Sequence, residues 1–158
     1  MNKDVEKFRH QLKQEQMKAS KLYDRRIMVI DRLYELLEDF NQKMSSLTSP
    51  AEWAGDLPKE EKLKIAGEAG EKFRYYYSTK RIYFNENINS LLDELNKEFI
   101  HAWIDFTMYP PKKEILGGKD AKEKWEWWIK AWKKVTEEIP PIKKEIEKEF
   151  GKILGANQ

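Results

Sequence analysis

Cysteine is absent from the sequence, which excludes disulfide bonds, thiol nucleophiles and thiolate metal sites. Histidine is scarce, with two residues in the whole chain. Neither histidine has an obvious hydroxyl partner, so the sequence offers no triad for nucleophilic catalysis. We therefore expect a protein that is not an enzyme and that needs no cofactor.

Long apolar runs are also missing. No stretch approaches the ~18 apolar residues of a membrane span, and the N-terminus has no apolar core of a signal peptide. Neither charge sign dominates, because the net charge is +2, so no overall field calls for a polyanionic partner. We expect a cytoplasmic protein without a transmembrane segment.

Glycine and proline are few, and the first forty-nine residues contain neither. Through this region runs a ladder of positions seven apart: Val5, Leu12, Ala19, Arg26, Leu33, Phe40 and Leu47. All of them are apolar except Arg26. The pattern predicts one long helix of about 70 Å, at ~1.5 Å per residue. A charge at this one position would need a carboxylate partner in a core, so Arg26 is expected near the place where the helix leaves its own bundle.

The apolar stripe of this helix is narrow before Leu22 and broad beyond it. A narrow stripe is typical of a coiled-coil seam, and a broad one of a globular core. Val5, Phe8 and Leu12 form the narrow part and are the candidates for self-association, with another copy or with another helical protein. The predicted organisation is a single helical domain over 1–158, with an arm over 1–21, a bundle core over 22–154 and a tail over 155–158.

Charge alternates along the chain. Residues 1–26 carry eight basic and four acidic groups, a balance of +4, and residues 27–61 carry three and eight, a balance of −5. Residues 62–84 then balance at +4 and residues 85–107 at −4. This alternation lets successive helices meet with opposite sign, although each exposed pair contributes only ~0–1 kcal/mol.

Further helices are predicted from periodicity and caps. The expected elements are helices over 58–80 and 86–107, a loop over 108–119, and helices over 121–138 and 141–154. Asn85 and Asp120 are the expected N-caps of the third and fourth helices. The last two helices share one apolar face across Pro140-Pro141. The predicted fold class is all-α, an antiparallel bundle of four to five helices with a long N-terminal helix.

A basic and aromatic segment over 72–84 is a candidate for RNA or single-stranded DNA binding, because bases stack on aromatic rings and phosphates pair with cations. Its candidate contacts are Lys72, Arg74, Tyr75, Lys80 and Arg81. The alternative is structural: the aromatic rings pack at a helix junction and the cations meet the acidic 27–61 region.

Four tryptophans cluster near the start of the fourth helix. Trp125, Trp128 and Trp132 lie on the expected core stripe, whereas Trp127 lies off it. Trp127 with Lys130 and Lys134 is a candidate contact for a protein partner or for the surface of an anionic membrane.

Two weaker patterns do not predict a site. Glu98 and His101 have the Glu-x-x-His spacing of di-iron bundles, but the second such motif is missing. Gly117-Gly118-Lys119 lacks the strand and the glycine spacing of a phosphate-binding loop.

Two stretches carry a resemblance. One is Leu22-Tyr23-Asp24-Arg25-Arg26 leading to Leu33-Tyr34-Glu35-Leu36-Leu37, and the other is Ile139-Pro140-Pro141-Ile142 leading to Ile146-Glu147-Lys148-Glu149-Phe150 and Ile153-Leu154-Gly155. Together they resemble a loosely defined set of uncharacterised prokaryotic helical proteins with an I-x-P … E-x-E-F-R-x-x-L-G tail. Gly151 stands where that tail has arginine. The resemblance implies helices and a cytoplasmic or membrane-peripheral setting, and it transfers no site.

Overall fold

The computed structural model describes residues 2–108 and 117–155, which are almost entirely helical and contain no strand. The elements in order are α1 (Asn2–Thr48), α2 (Lys59–Lys80), a 3-10 turn (Arg81–Tyr83), α3 (Glu86–Met108), α4 (Gly117–Lys133), a π-helical turn (Lys134–Glu138) and α5 (Ile139–Leu154). The all-α class and the long N-terminal helix are therefore confirmed. Most of the predicted loop and tail, at 109–116 and 156–158, lies outside the described residues.

The length of α1 follows from its composition, because no residue before Pro50 interrupts the helical hydrogen bonds. Its last residue, Thr48, is fully buried and donates its hydroxyl to the carbonyl of Met44 at 2.8 Å. The buried hydroxyl is thus satisfied within the last turn of the helix.

Side chains from later in the chain cap the end of α1. The ammonium group of Lys59 donates to the carbonyl oxygens of Leu47 and Ser49, both at 3.0 Å. Trp128 donates its indole N–H to the carbonyl oxygen of Thr48 at 2.6 Å, and Lys59 lies over the Trp128 ring. Burial lowers the pKa of Lys59. Side chains of α2 and α4 therefore satisfy the last two carbonyls of α1.

One hydrophobic core joins the helices, from Val29 in α1 to Phe150 in α5. Its largest fully buried side chains come from α1, α2, α3 and α5. Phe40 is at its centre, where its ring centroid lies 4.4 Å from that of Phe99 and 6.1 Å from that of Phe73. The broad apolar stripe of α1 is thus the part that faces the other helices.

The beginning of α3 follows the predicted capping chemistry. Asn85 accepts the backbone N–H of Ile88 at 2.9 Å through its side-chain oxygen, as an N-cap residue does. For α4 the predicted cap is wrong, because the helix begins at Gly117 and Asp120 lies inside it. Residues 108 and 117–119 of the predicted loop are therefore helical.

The helix continues through Pro140 and Pro141 instead of dividing there. Proline lacks the N–H of a helical bond, and its ring collides with the carbonyl four residues earlier. The π turn just before the prolines removes this conflict, since a wider turn changes which carbonyls need a donor. The N–H of Ile139 bonds the carbonyl of Lys134, five residues earlier. The two predicted helices, over 121–138 and 141–154, are thus joined by the π turn without a break, and buried Ile139 and Ile146 keep the shared apolar face.

Within the described residues, no helix has the combination of length and apolarity that crossing a bilayer requires.

Candidate interaction site

The first part of α1 projects from the core. Every residue from 2 to 25 is exposed, including Val5 at 50%, Phe8 at 63% and Leu12 at 45%. In the described part of the chain, residues 2–24 make no hydrogen bond or ion pair with another helix. We call residues 2–25 the exposed arm. Its apolar seam continues the buried seam of the core in the same heptad register.

The exposed arm is longer than the predicted arm of 1–21. Leu22 and Tyr23, which were expected to begin the core stripe, are exposed at 51% and 44%. Burial begins at Val29, because the helices that cover α1 turn or end at this level. Phe84, just after the 3-10 turn, packs against Phe150 near the end of α5, with ring centroids 5.6 Å apart.

Arg26 lies at the junction between the exposed arm and the core. Its Nε–H donates to the backbone carbonyl of Tyr83 at 2.9 Å, and the neighbouring Arg25 donates to the Tyr83 hydroxyl at 3.1 Å. The arginine at this ladder position therefore has a structural role, since it binds the 3-10 turn. Its partner is a backbone carbonyl, and Arg26 is partly exposed at the place where α1 leaves the core.

A groove lies beside the base of the exposed arm, between α1 and α5. It has a volume of about 410 Å³, and its exposed apolar side chains are Met28 from α1 and Leu154 from α5. Asp31 and Glu147 line it as well, and no basic residue does. Sequence reasoning missed this groove because its two walls are more than a hundred residues apart in the chain.

The basic and aromatic segment 72–84 is divided by the fold. Phe73, Tyr77 and Phe84 are buried in the core, as the structural alternative expected. Lys72 and Tyr75 are exposed on α2, one turn apart.

The cations of the segment are partly engaged. Lys80 lies 5.3 Å from the centroid of the Tyr76 ring, and Arg74 lines a cavity between α2 and α3 with Trp103. Arg81 forms a bidentate ion pair with Asp93, in which Nη2 lies 3.0 Å from Oδ2. Of the five candidate contacts, Lys72 and Tyr75 therefore offer the most open surface.

Asp93 is the centre of a small polar network on α3. The Tyr77 hydroxyl donates to its Oδ1 at 2.8 Å, and Arg81 binds both oxygens. The hydrogen bond from Arg81 is the main reason that the pKa of Asp93 lies below its usual value. Burial, followed by the contact with Asp93, raises the pKa of Tyr77. These bonds join α2 to α3 and hold Arg81 against the protein.

The tryptophan cluster is less buried than predicted. Trp125, expected on the core stripe, is 51% exposed, because it lies on the outer side of Trp128 with ring centroids 5.9 Å apart. Lys130 lies 4.7 Å from the ring centroid of Trp127. The Lys134 side chain is mostly covered and pairs with Glu98 at 3.5 Å and Glu138 at 3.6 Å. The three candidate contacts Trp127, Lys130 and Lys134 thus do not form one outward patch.

Within residues 2–108 and 117–155, no group of three or more histidine, aspartate or glutamate side chains converges in a way that could hold a metal ion. Glu98 of the Glu-x-x-His pattern is held by Lys134, and His101 is exposed.

Comparisons of the chain with protein-family models, with curated proteins and with solved structures find no match. The resemblance to prokaryotic helical proteins stays a prediction. The exposed arm and the adjacent groove are the features from which function is inferred.

Proposed function

We propose that the protein is a non-enzymatic interaction or scaffold protein that self-associates through its N-terminal helix. The observation that carries the proposal is the exposed apolar seam of Val5, Phe8 and Leu12, which lies on the part of α1 that no described element covers. Contiguous exposed apolar surface marks an interaction site more often than an isolated exposed residue does.

Energetics support a partner for the exposed arm. A helix without tertiary contacts is marginal in water, because nucleation is unfavourable and propagation gains little per residue. Burying one large apolar side chain contributes about 1.5–3 kcal/mol. Burial of three such residues on the seam of each chain therefore favours association, against an estimated association cost of about 4–15 kcal/mol.

The body from which the arm projects is proposed to be an antiparallel bundle of four to five helices. Ion pairs between helices support this arrangement: Lys143 of α5 pairs with Glu38 of α1, and Lys134 of the π turn pairs with Glu98 of α3. A rigid body of this kind holds the arm in a fixed direction, which is what a scaffold requires.

Sedimentation equilibrium on the full chain tests self-association. We expect a dimer or larger species for the unaltered protein and a monomer for Leu12→Glu, because a carboxylate on the seam opposes burial. Met17→Glu is the matched control, since Met17 is also exposed but lies off the seam, and it should leave the mass unchanged. A monomeric unaltered protein at all soluble concentrations would refute the proposal.

Nucleic-acid binding is the second candidate function, favoured by the exposure of Lys72 and Tyr75 on one face of α2. It predicts salt-sensitive binding of a labelled single-stranded oligonucleotide, weakened by Lys72→Ala and by Tyr75→Ala. Glu94→Gln, on another helix, is the control. Absence of binding at low salt would remove this candidate.

Docking on an anionic membrane is the third candidate, and the pairing of Lys130 with Trp127 supports it. It predicts co-sedimentation of the protein with acidic vesicles and its loss in Lys130→Glu.

A further inference from the structure

The groove between α1 and α5 opens beside the point where the exposed arm leaves the core. We propose that this groove receives the exposed arm of a second copy of the chain, which runs antiparallel to the first arm and inserts Phe8. The inference rests on the proposed self-association and adds the receiving site, the orientation and the anchor residue.

The apolar surfaces match in kind. The groove is a largely apolar cavity of about 410 Å³. Two of its apolar side chains are left uncovered, since Met28 is 71% exposed and Leu154 is 41% exposed. On the arm side, Phe8 is the largest exposed side chain of the seam. Aromatic anchors that fill apolar pockets are the usual centres of interfaces.

Charge selects the orientation. Asp31 and Glu147 are the charged residues that line the groove, and Phe8 is flanked in sequence by Lys7 and Arg9. At a larger scale, residues 1–26 balance at +4, with eight basic and four acidic groups, and residues 27–61 balance at −5, with three and eight. A parallel pair would place the two N-termini, with Lys7 and Arg9, next to each other, whereas an antiparallel pair brings each N-terminus to the acidic groove of the other copy.

If Phe8 inserts into the groove, the antiparallel arrangement also determines which residues of the two arms face each other. Facing residues advance in opposite directions along antiparallel helices, so Phe8 at the level of Ile27 brings Leu12 to the level of Leu22 and Tyr23. These two residues are on the exposed arm, where the fold of one chain leaves them without cover. A second copy explains why the broad apolar stripe begins at Leu22, ahead of the first buried position at Val29.

Cross-linking tests the orientation directly, because the chain has no cysteine of its own. Leu12→Cys and Leu22→Cys copies are mixed and oxidised with diamide, and the disulfide-linked peptides are identified by mass after proteolysis without reduction. The proposal predicts the mixed 12–22 disulfide and little 12–12 disulfide. A parallel arrangement would give the 12–12 and 22–22 products instead, and either of these as the main product would overturn the antiparallel orientation.

Variants of the groove test the receiving site. Leu154→Glu replaces an apolar wall of the groove with a carboxylate that loses its water when Phe8 inserts, and it should raise the dimer dissociation constant at least about tenfold. Leu57→Glu is the matched control, since Leu57 is an exposed leucine away from the groove, and it should change nothing. Circular dichroism of each variant checks that the helices are retained.

A charge exchange tests the predicted contact. Lys7→Glu should weaken the dimer, because this register brings Lys7 to the level of Met28, within one helical turn of Asp31. Asp31→Lys in the same chain should restore the dimer, because the opposite charges are then exchanged. Failure of the double variant to recover would remove Asp31 as the partner and would count against the groove.

The two proposals fail separately. If Leu12→Glu abolishes the dimer while Leu154→Glu leaves its dissociation constant unchanged, self-association stands and the groove is not the receiving site. If the unaltered chain is monomeric, both proposals are refuted.

Discussion

Arg26 donates a hydrogen bond from Nε to the backbone carbonyl of Tyr83 across 2.9 Å, and this bond marks where α1 leaves the core. Arg26 is the one charged residue in the heptad ladder, whose remaining positions are all apolar. The arginine thus ties the last covered turn of α1 to the 3-10 turn between α2 and α3. It also interrupts the seam between the buried part of the helix and the exposed arm.

Arg26→Ala should therefore lower the free energy of unfolding by about 1–2 kcal/mol, because the half-buried carbonyl of Tyr83 loses its donor. Chemical denaturation followed by circular dichroism measures the change. Arg25→Ala is the control, since the Arg25 bond to the Tyr83 hydroxyl is exposed, and its effect should be smaller. An equal loss for both variants would contradict the assigned role of Arg26.

Gly70 and Gly67 in α2 should respond to alanine with opposite sign. A Cβ at Gly70 would lie 2.9 Å from Cζ of Phe40, a fully buried ring, so we expect a loss of about 1–3 kcal/mol from overpacking. A Cβ at Gly67 would meet its nearest neighbour, Nε1 of Trp103, at an ordinary 3.8 Å. There the better helix propensity of alanine should add up to about 1 kcal/mol. Thermal and urea unfolding of the two variants would show the difference.

Trp128→Phe should cost about 1–3 kcal/mol, because the carbonyl of Thr48 is then left without its hydrogen bond inside the protein. Trp125→Phe makes the same change in an exposed ring and should have little effect. Urea unfolding compares the two. If both variants were as stable as the unaltered chain, the bond from Trp128 to Thr48 would not be part of the native structure in solution.

Acid should weaken the contact between α2 and α3. The pKa of Asp93 is lowered in the folded state, chiefly by the hydrogen bond from Arg81. A lowered folded-state pKa adds stability above the ordinary aspartate value of about 3.9, and this stability is lost as the pH falls through the folded-state pKa. Asp93→Asn should therefore flatten the lower end of the profile of stability against pH. Urea midpoints measured at a series of acidic pH values would test this, and an unchanged profile would contradict it.

The sequence carried enough information to predict the helices whose limits are local. The first helix follows from forty-nine residues without a breaker, and Asn85 caps α3 as its side chain predicts. The level at which α1 becomes buried was not predictable. Leu22 and Val29 look alike in the pattern, and only the position of Phe84 and Phe150 decides which of them is covered.

The prolines of the last helix show a second limit. Pro140 and Pro141 predict a break from local chemistry alone, whereas the apolar face predicts continuity. A π turn just before the prolines reconciles the two, because it lets the helix continue without the missing N–H groups. Helix propensities of the single residues do not predict a π turn. The groove was equally hidden from sequence reasoning, because Met28 and Leu154 come together only after every helix has packed.

The cap at the end of α1 has a consequence for the order in which the chain folds during synthesis. Lys59 follows Leu47 by 12 residues, so the first part of the cap is available soon after the helix has been made. Trp128 follows Thr48 by 80 residues, which corresponds to roughly 4–16 s at about 5–20 residues per second. For that interval the carbonyl oxygen of Thr48 must accept its hydrogen bond from another donor, such as water or a chaperone. A ribosome that pauses after it has added Lys59 and before it adds Trp128 would therefore hold a nascent chain in which α1 is complete but its C-terminal end is only partly capped.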